Sequence, residues 1–285
     1  MATAKAVLQR PCVLVFAGHD PSGGAGIQAD IEAIAAQGAH ALPVITALTV
    51  QDNDHAYAVH AVDAQIILQQ AMTLIAKIPV SAVKVGIVAH TKNAMALASL
   101  IQKMKLQQPD LPVVVDTVLG SGKGDSLSLD DAVAAIQPLL KVATLLTPNL
   151  PELQRLSPSA ADRTAQIEGL MQQVSADILL KGGHGTEQDV INHWYRHRHW
   201  EMPQTWQWPR LYGEFHGSGC TLAAAIAGQL ACGQSMEQAL TLAQQYTQSC
   251  LAQAYRIAAG QQIPQRSPAP ACSADDTAML NMRGT

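Results

Sequence analysis

The sequence predicts an α/β fold built on a mostly parallel central sheet. Short runs rich in β-branched residues alternate with segments of helical periodicity, which is the pattern of parallel strands joined by crossover helices. The chain has 285 residues, of which 48% are hydrophobic, so it can bury a substantial core. No linker divides it, and we expect one domain over residues 1–263. Pro, Ser, Ala and Asp dominate residues 264–285, which predicts a disordered tail.

Six strands and seven helices are expected in alternation. The strands cover residues 12–17, 43–49, 82–85, 112–115, 143–146 and 177–180. The helices cover residues 26–37, 63–77, 92–105, 129–140, 162–174, 218–232 and 235–259. A capping box of Ser235 and Gln238 begins the last helix, and Gly260 is expected to end it.

Composition argues against several classes of partner. Charged residues make up only 14% of the chain, the net charge is −4, and the cations are scattered, so neither nucleic acid nor an acidic membrane is expected to bind. The five cysteines form no CxxC motif, which argues against a disulfide framework and a zinc site. No stretch reaches the roughly 18 apolar residues of a membrane span, and residues 1–10 lack a signal-peptide core. We expect a cytoplasmic protein.

Residues 193–212 depart from the alternation of predicted strands and helices. They contain all four tryptophans, two prolines and three histidines, and we expect a surface hairpin. Metal binding by His193, His197 and His199 is disfavoured, because no carboxylate or cysteine completes a ligand set at the usual spacing.

The segment 216–225 combines small residues, a thiol and the start of a helix. The apolar spacing of Leu222, Ile226 and Leu230 indicates that the helix begins near Ser218. Glycines at 217 and 219 leave the first-turn amides uncovered, and such amides bind anions. The helix dipole is expected to lower the pKa of the Cys220 thiol. An anion site beside a base indicates phosphoryl transfer to a hydroxyl group. Alternatively, Cys220 fills a gap between helix and sheet.

Polar residues also follow the predicted strands, where ligands bind in open parallel sheets. The first strand runs into the glycine-rich segment 18–26, the fourth ends at Asp116, the fifth runs into Asn149 and the sixth into Lys181. The alternative roles are a cap on the next element for Asp116 and a turn for Asn149.

Asp30 and Gln51 are candidate substrate ligands. Asp30 lies roughly 60° from the centre of the apolar face of its helix, so its carboxylate needs a partner, either a structural hydrogen bond or a ligand. Gln51 follows an apolar run, and its amide suits a planar nitrogen heterocycle, with a helix cap or turn as the alternative.

Asn149 and Glu152 stand three residues apart at a predicted helix start. Glu152 either complements the helix dipole or organises Mg²⁺ through water molecules. Lys181 supplies a cation that would neutralise a triphosphate.

Five segments together resemble one enzyme family. Residues 17–30, 44–51, 147–152, 181–184 and 216–222 resemble, in order, motifs of the hydroxymethylpyrimidine and phosphomethylpyrimidine kinases of thiamine biosynthesis, over about residues 12–260. The resemblance implies a three-layer α/β/α ribokinase-like fold. It also implies ATP and Mg²⁺ as cofactors, and a homodimer with a surface around residues 40–51.

The resemblance further implies residue roles. Such kinases phosphorylate 4-amino-5-hydroxymethyl-2-methylpyrimidine and then its monophosphate. Cys220 would take the hydroxyl proton, and the amides of Gly217, Ser218 and Gly219 would bind the transferring phosphoryl group. The other implied roles are pyrimidine binding by Gly18, Asp30, Gln51 and Val118, ATP binding by Asn149, Lys181 and Gly183, and metal binding by Glu152 and Asp116.

The chain departs from the family pattern at several positions. Thr117 follows Asp116 where a proline is usual, Ile87 stands in place of a methionine, the loop 119–125 is richer in glycine, and Phe215 replaces a common threonine. Two alternatives stay open at this point: a pyridoxal kinase of the same fold, although such relatives commonly carry aspartate at the Cys220 position, and a non-catalytic pyrimidine-binding regulator.

Overall fold

A nine-stranded sheet forms the centre of the molecule. The computed structural model describes residues 9–158, 162–185 and 188–267. Within them the strand order is β3-β2-β1-β4-β5-β6-β7-β8-β9. The strands are β1 Cys12–His19, β2 His40–Gln51, β3 Ala56–Ala61, β4 Ala82–Val85, β5 Val113–Val115, β6 Leu145–Leu146, β7 Asp177–Leu180, β8 Asp189–Arg196 and β9 His199–Pro209. The six strands from β2 to β7 in this order pair in parallel. The pairs β2–β3, β7–β8 and β8–β9 are antiparallel.

Eight helices connect these strands in the described part of the chain. They are α1 Gly26–Ala36, α2 Ala64–Ile75, α3 Thr91–Gln107, α4 Ala132–Leu140, α5 Leu150–Leu156, α6 Arg163–Met171, α7 Ser218–Ala231 and α8 Met236–Ala252. None of the helices described is long and apolar enough to cross a membrane.

The helices cover both faces of the sheet, which confirms the expected three-layer fold. Successive side chains of a strand point to opposite faces, so β1 divides between two cores. Leu14 and Phe16 pack with α2 to α6, whereas Val13 and Val15 pack with α1, α7 and α8. Strand β1 pairs with β2 on one side and β4 on the other. Because the strand order reverses there, a crevice opens at its carboxyl end.

Most predicted elements are present, with ends that differ by at most three residues. The strand β3 was missed. The hairpin expected at 193–212 exists but runs from Asp189 to Pro209, and it extends the sheet because Leu179 of β7 pairs with Trp194 of β8. Trp194 and Trp206 pack on the face covered by α8, where Trp206 donates a hydrogen bond to Thr241 over 3.1 Å, whereas Trp200 packs on the opposite face.

The predicted end of the last helix was wrong. Helix α8 ends at Ala252, and Tyr255 then pairs with Ile263 through two backbone hydrogen bonds. Gly260 has a φ of 100°, a left-handed conformation within the loop between these two residues.

The domain also continues beyond residue 263. Arg266 is buried, and the backbone N–H of Gln265 donates to the Cys250 carbonyl over 3.0 Å. The tail predicted from residue 264 was therefore wrong for residues 264–267, where contacts with α8 outweigh the polar composition. Residues 268–285 lie outside the described part of the chain.

Candidate active site

A cavity of about 540 Å³ opens at the carboxyl ends of the parallel strands. The polar residues that follow β1, β5, β6 and β7 meet there with the first turn of α7, as the sequence analysis predicted. Twelve of the thirteen predicted site residues lie in its wall: Gly18, Gln51, Asp116, Val118, Asn149, Glu152, Lys181, Gly183, Gly217, Ser218, Gly219 and Cys220.

Helix α7 points an uncapped first turn into this cavity. Its N-cap residue, Gly217, has a φ of 74°, and no side chain caps the turn. A Cβ added to Gly217 would overlap the carbonyl oxygen of Gly24 in the β1–α1 loop. A Cβ at Gly219 would lie 3.2 Å from Lys181 Nζ. Glycine at both positions therefore keeps the helix terminus open, and such a terminus binds anions.

Cys220 lies in this first turn of α7, and its side chain is a neutral thiol. Its side chain is partly exposed, and the sulfur accepts a hydrogen bond from the backbone N–H of Gly26. Burial raises the pKa of the Cys220 thiol to about 11; the Lys84 ammonium opposes this, whereas the carboxylates of Asp116 and Asp30 add to it. The predicted lowering of this pKa was therefore wrong, because desolvation and two carboxylates outweigh the helix dipole.

Lys181 and Asp116 form a partly buried ion pair opposite this turn. Lys181 Nζ lies 3.0 Å from Asp116 Oδ1, which also accepts a hydrogen bond from the Thr147 hydroxyl over 3.0 Å. Burial alone would raise the pKa of Asp116, but Lys181 and Lys84 lower it overall. Burial works against the charge of Lys181 as well, yet Asp116 and Glu152 raise its pKa. Both groups are therefore charged at neutral pH.

Asn149 and Glu152 form a capping box at the start of α5. Asn149 Oδ1 accepts from the Glu152 N–H, and Glu152 Oε2 accepts from the Asn149 N–H, each over 2.8 Å. Glu152 Oε2 also accepts from the Thr117 hydroxyl over 3.2 Å. Burial and the nearby Asp116 raise the pKa of the buried Glu152, whereas Lys181 lowers it. Asn149 and Glu152 therefore both cap the helix, and both also line the cavity.

The carboxylates of Asp116 and Glu152 suit a divalent cation bound to phosphates. Asp116 Oδ2 is buried and has no hydrogen-bond partner among the described residues. It lies 3.9 Å from the position of a Cβ on Gly219, so it faces the anion-binding turn. Mg²⁺ is commonly held by one or two carboxylates together with substrate phosphates and water. The residues present fit such an ion.

Asp30 does not line the cavity, contrary to its predicted role. Its side chain is fully buried, and Oδ2 pairs with Lys84 Nζ of β4 at 2.8 Å. Burial raises the pKa of Asp30 to about 6, although Lys84 acts to lower it. Burial also works against the charge of Lys84, but Asp30, Cys220 and Asp116 raise its pKa overall. The structural alternative therefore holds, and the hydrogen-bond partner is the charged Lys84 of β4 and not a neighbouring loop.

Gln51 lies at the opposite end of the cavity from the strand β9. It is half-buried, and its side chain hydrogen-bonds the carboxylate of Asp20. Gly18, Val118 and Ile87 line the wall nearby. This end therefore offers one amide between small and apolar groups, which suits a flat heterocycle.

The sequence analysis missed Asp20 and His216. Asp20 accepts hydrogen bonds from the N–H groups of Ser22 and Ala25, each over 2.8 Å, and His216 Nε2 lies 2.7 Å from its Oδ2. Burial would raise the pKa of Asp20, but these contacts and Gln51 hold it well below its usual range. The Asp-Pro-Ser-Gly run is the one sequence signal for this turn.

The other end of the cavity was also missed. It is lined by Val190, Trp208, Gln244, Thr247, Gln248 and Leu251. Trp208 Nε1 donates to Gln244 Oε1 over 3.1 Å, which fixes the indole against α8. An aromatic ring and apolar groups beside Lys181 suit the base of a nucleotide.

Comparisons with known proteins agree with this geometry. A family model described as phosphomethylpyrimidine kinase matches residues 20–265. A hydroxymethylpyrimidine/phosphomethylpyrimidine kinase of Rhizobium meliloti is 34% identical over 257 residues, which cover 87% of this chain and 93% of that protein.

Solved structures share the fold. The phosphomethylpyrimidine kinase of Clostridium difficile is 27% identical, with a TM-score of 0.68 over 84% of this chain and 98% of that one. The ADP complex of Bacillus subtilis pyridoxal kinase is 23% identical, with a TM-score of 0.78 over 91% of this chain and 98% of that one. The family match and the identity to curated relatives lead to one conclusion: this chain belongs to the phosphomethylpyrimidine kinase family, a family of phosphotransferases.

Proposed function

We propose that this protein phosphorylates 4-amino-5-hydroxymethyl-2-methylpyrimidine with ATP and then phosphorylates the resulting monophosphate. One observation carries the proposal: the open first turn of α7, bearing Cys220, lies in one cavity with Gln51 at one end and Lys181 and Trp208 at the other. An acceptor and a triphosphate can therefore meet at an anion site.

The acceptor is assigned to the Gln51 end. The Gln51 amide is a donor and acceptor pair that can match an aminopyrimidine edge, while Gly18 and Val118 border the ring. The hydroxymethyl group then points to Cys220. Asp30 is assigned no direct part in this binding, because it is fully buried outside the cavity wall and its Oδ2 pairs with Lys84.

The donor is assigned to the Lys181 end. Lys181 neutralises charge on the phosphates, and the amides of residues 217–220 stabilise the charge that develops on the transferring group. Gly183 and Trp208 line the path to the nucleotide base. Asp116 and Glu152 would hold Mg²⁺, which when bound neutralises further phosphate charge.

We assign to Cys220 the role of general base, which takes the hydroxyl proton of the hydroxymethylpyrimidine in the first step. In the free protein the thiol is protonated at neutral pH, because burial raises its pKa to about 11. Only the thiolate can take the hydroxyl proton, so the thiol first releases its own proton to solvent in the cavity, and Lys84 stabilises the negative charge that forms. The second acceptor is a phosphate monoester with a second pKa of about 6, so it is already ionised at pH 7 to 8.

The pyridoxal kinase alternative has less support. The R. meliloti relative at 34% identity is a pyrimidine kinase, whereas the pyridoxal kinase neighbour is 23% identical and shares the fold.

We further propose a homodimer through the β2–β3 edge of the sheet, where Leu48, Val50 and Tyr57 are exposed apolar residues.

A direct assay tests the activity. We expect ATP consumption that depends on the added hydroxymethylpyrimidine, with a kcat/KM higher than that for pyridoxal measured on the same preparation. ATP consumption that is faster with pyridoxal would reverse the assignment, and no pyrimidine-dependent turnover at all would contradict it.

Replacing Cys220 separates the two steps. Cys220→Ala should slow phosphorylation of the hydroxymethylpyrimidine by about 10²- to 10⁴-fold, the usual contribution of a positioned base. Phosphorylation of the monophosphate should change little, because the α7 amides remain. Cys232→Ala, an exposed cysteine at the far end of the same helix, is the control. Equal losses in both steps would mean that Cys220 acts through packing of the turn.

The pH dependence of alkylation tests the protonation state of Cys220. Because its pKa is raised to about 11, the thiolate fraction should rise about tenfold per pH unit between pH 7 and 10. The rate of iodoacetamide alkylation at Cys220, followed by peptide mass spectrometry, should rise in parallel. A rate that levels off below pH 8 would contradict the raised pKa.

Removing one carboxylate tests the metal site. Glu152→Gln keeps an acceptor for the capping box but loses the charge, so it should raise the Mg²⁺ concentration needed for half-maximal rate. Glu168→Gln, at an exposed position on α6, is the matched control. An unchanged Mg²⁺ requirement would restrict Glu152 to capping.

A further inference from the structure

Arg266 joins the two segments that form the anion-binding turn from the side away from the cavity. The residue is only 3% exposed. Its guanidinium donates hydrogen bonds to the carbonyl oxygens of Gly23 and Gly24 in the β1–α1 loop. Its Nε donates to the hydroxyl of Thr221 in the first turn of α7 over 2.8 Å. One buried cation therefore contacts both walls of the turn.

Thr221 extends this contact to the N-cap residue. Its hydroxyl accepts from Arg266 and donates to the Gly217 carbonyl over 2.8 Å. Gly217 in turn packs so closely on Gly24 that a Cβ at 217 would overlap the Gly24 carbonyl oxygen. The contacts thus form a closed ring of four residues: Arg266, Thr221, Gly217 and Gly24. A shift of Arg266 would therefore displace the amides that face the cavity.

The chain holds Arg266 firmly in place. The Tyr246 hydroxyl of α8 donates to the Arg266 carbonyl over 2.9 Å, and the guanidinium lies 3.4 Å from Glu32 Oε2 of α1. A lysine cannot reproduce these contacts, because its ammonium is a single point and the guanidinium is a planar fork with five donors. The arrangement therefore depends on arginine and not on positive charge alone.

We propose that Arg266 is a positioning residue for phosphoryl transfer, which sets the spacing between the Gly23-Gly24 loop and the amides of residues 217–220. This inference rests on the proposed function. The family match ends at residue 265, and Arg266 is the next residue. A misplacement of about 1 Å at a reacting group can cost about 10²-fold in rate. Because Arg266 lies outside the cavity in which the substrates are proposed to bind, the loss should fall on the transfer step.

The test compares Arg266→Lys with wild type and with Arg256→Lys, a control at an exposed arginine. Single-turnover rates and KM values for ATP and the hydroxymethylpyrimidine are measured on full-length, folded protein. We expect a rate about 10- to 100-fold lower in Arg266→Lys, with both KM values within about threefold of wild type and no change in Arg256→Lys. An unchanged rate in folded Arg266→Lys would overturn the proposal.

Thr221 provides a second route if Arg266→Lys fails to fold. Thr221→Val removes the hydroxyl between Arg266 and Gly217, whereas Thr221→Ser keeps it. We expect Thr221→Val to lose rate without a change in KM, and Thr221→Ser to behave as wild type. Equal rates in all three proteins would overturn the proposal. Wild-type turnover is measured first, since its absence contradicts the proposed function, whereas a missing difference between variants contradicts only the positioning role.

Discussion

The contact between Gly217 and Gly24 is the constraint on which the rest of the site depends. It brings the start of α7 against the β1–α1 loop without a side chain between them, which a left-handed φ of 74° at Gly217 permits. Two polar contacts hold these segments together: His216 pairs with Asp20 on the cavity side, and Arg266 hydrogen-bonds Thr221 on the buried side. A helix terminus without a cap is costly unless another group binds it. Here the terminus stays uncapped and faces the cavity.

Buried charges around this turn are balanced against one another. Lys84 and Lys181 face the carboxylates of Asp30, Asp116 and Glu152. Desolvation together with the carboxylates of Asp116 and Asp30 explains why Cys220 remains a thiol despite its place at a helix N-terminus. Breaking a buried pair such as Asp30–Lys84 typically costs about 3–5 kcal/mol, so these charges also contribute to the stability of the fold.

The two ends of the cavity lie at opposite sides of the sheet. The end near Gln51 is built from the parallel strands β1 and β2, whereas the other end is closed by the edge hairpin β8–β9 and by α8. Trp208 reaches the cavity because its indole is held by Gln244 of α8. The Gln51 end thus belongs to the parallel part of the sheet, and the other end depends on how the hairpin packs.

The sequence by itself determined the order of the central elements and the open first turn of α7. Both follow from local signals: apolar periodicity places α1 and α7, and glycines at 217 and 219 mark a turn that no side chain covers. Spacing also showed that a carboxylate at Asp30 needs a partner. Local signals could not identify that partner as Lys84, which is 54 residues away in the chain and meets Asp30 only when β4 packs beside α1.

Only the tertiary structure decided the pKa of Cys220, the edge position of the β8–β9 hairpin, the end of α8 and the burial of Arg266. Each depends on groups distant in sequence: the thiol pKa on desolvation and on Asp116 and Asp30, and Arg266 on Gly24 and Thr221. Periodicity reports which face of an element is apolar, but it carries no information about which charged or polar group lies opposite. That information exists only once the chain has packed, because electrostatic energies depend on distance and burial.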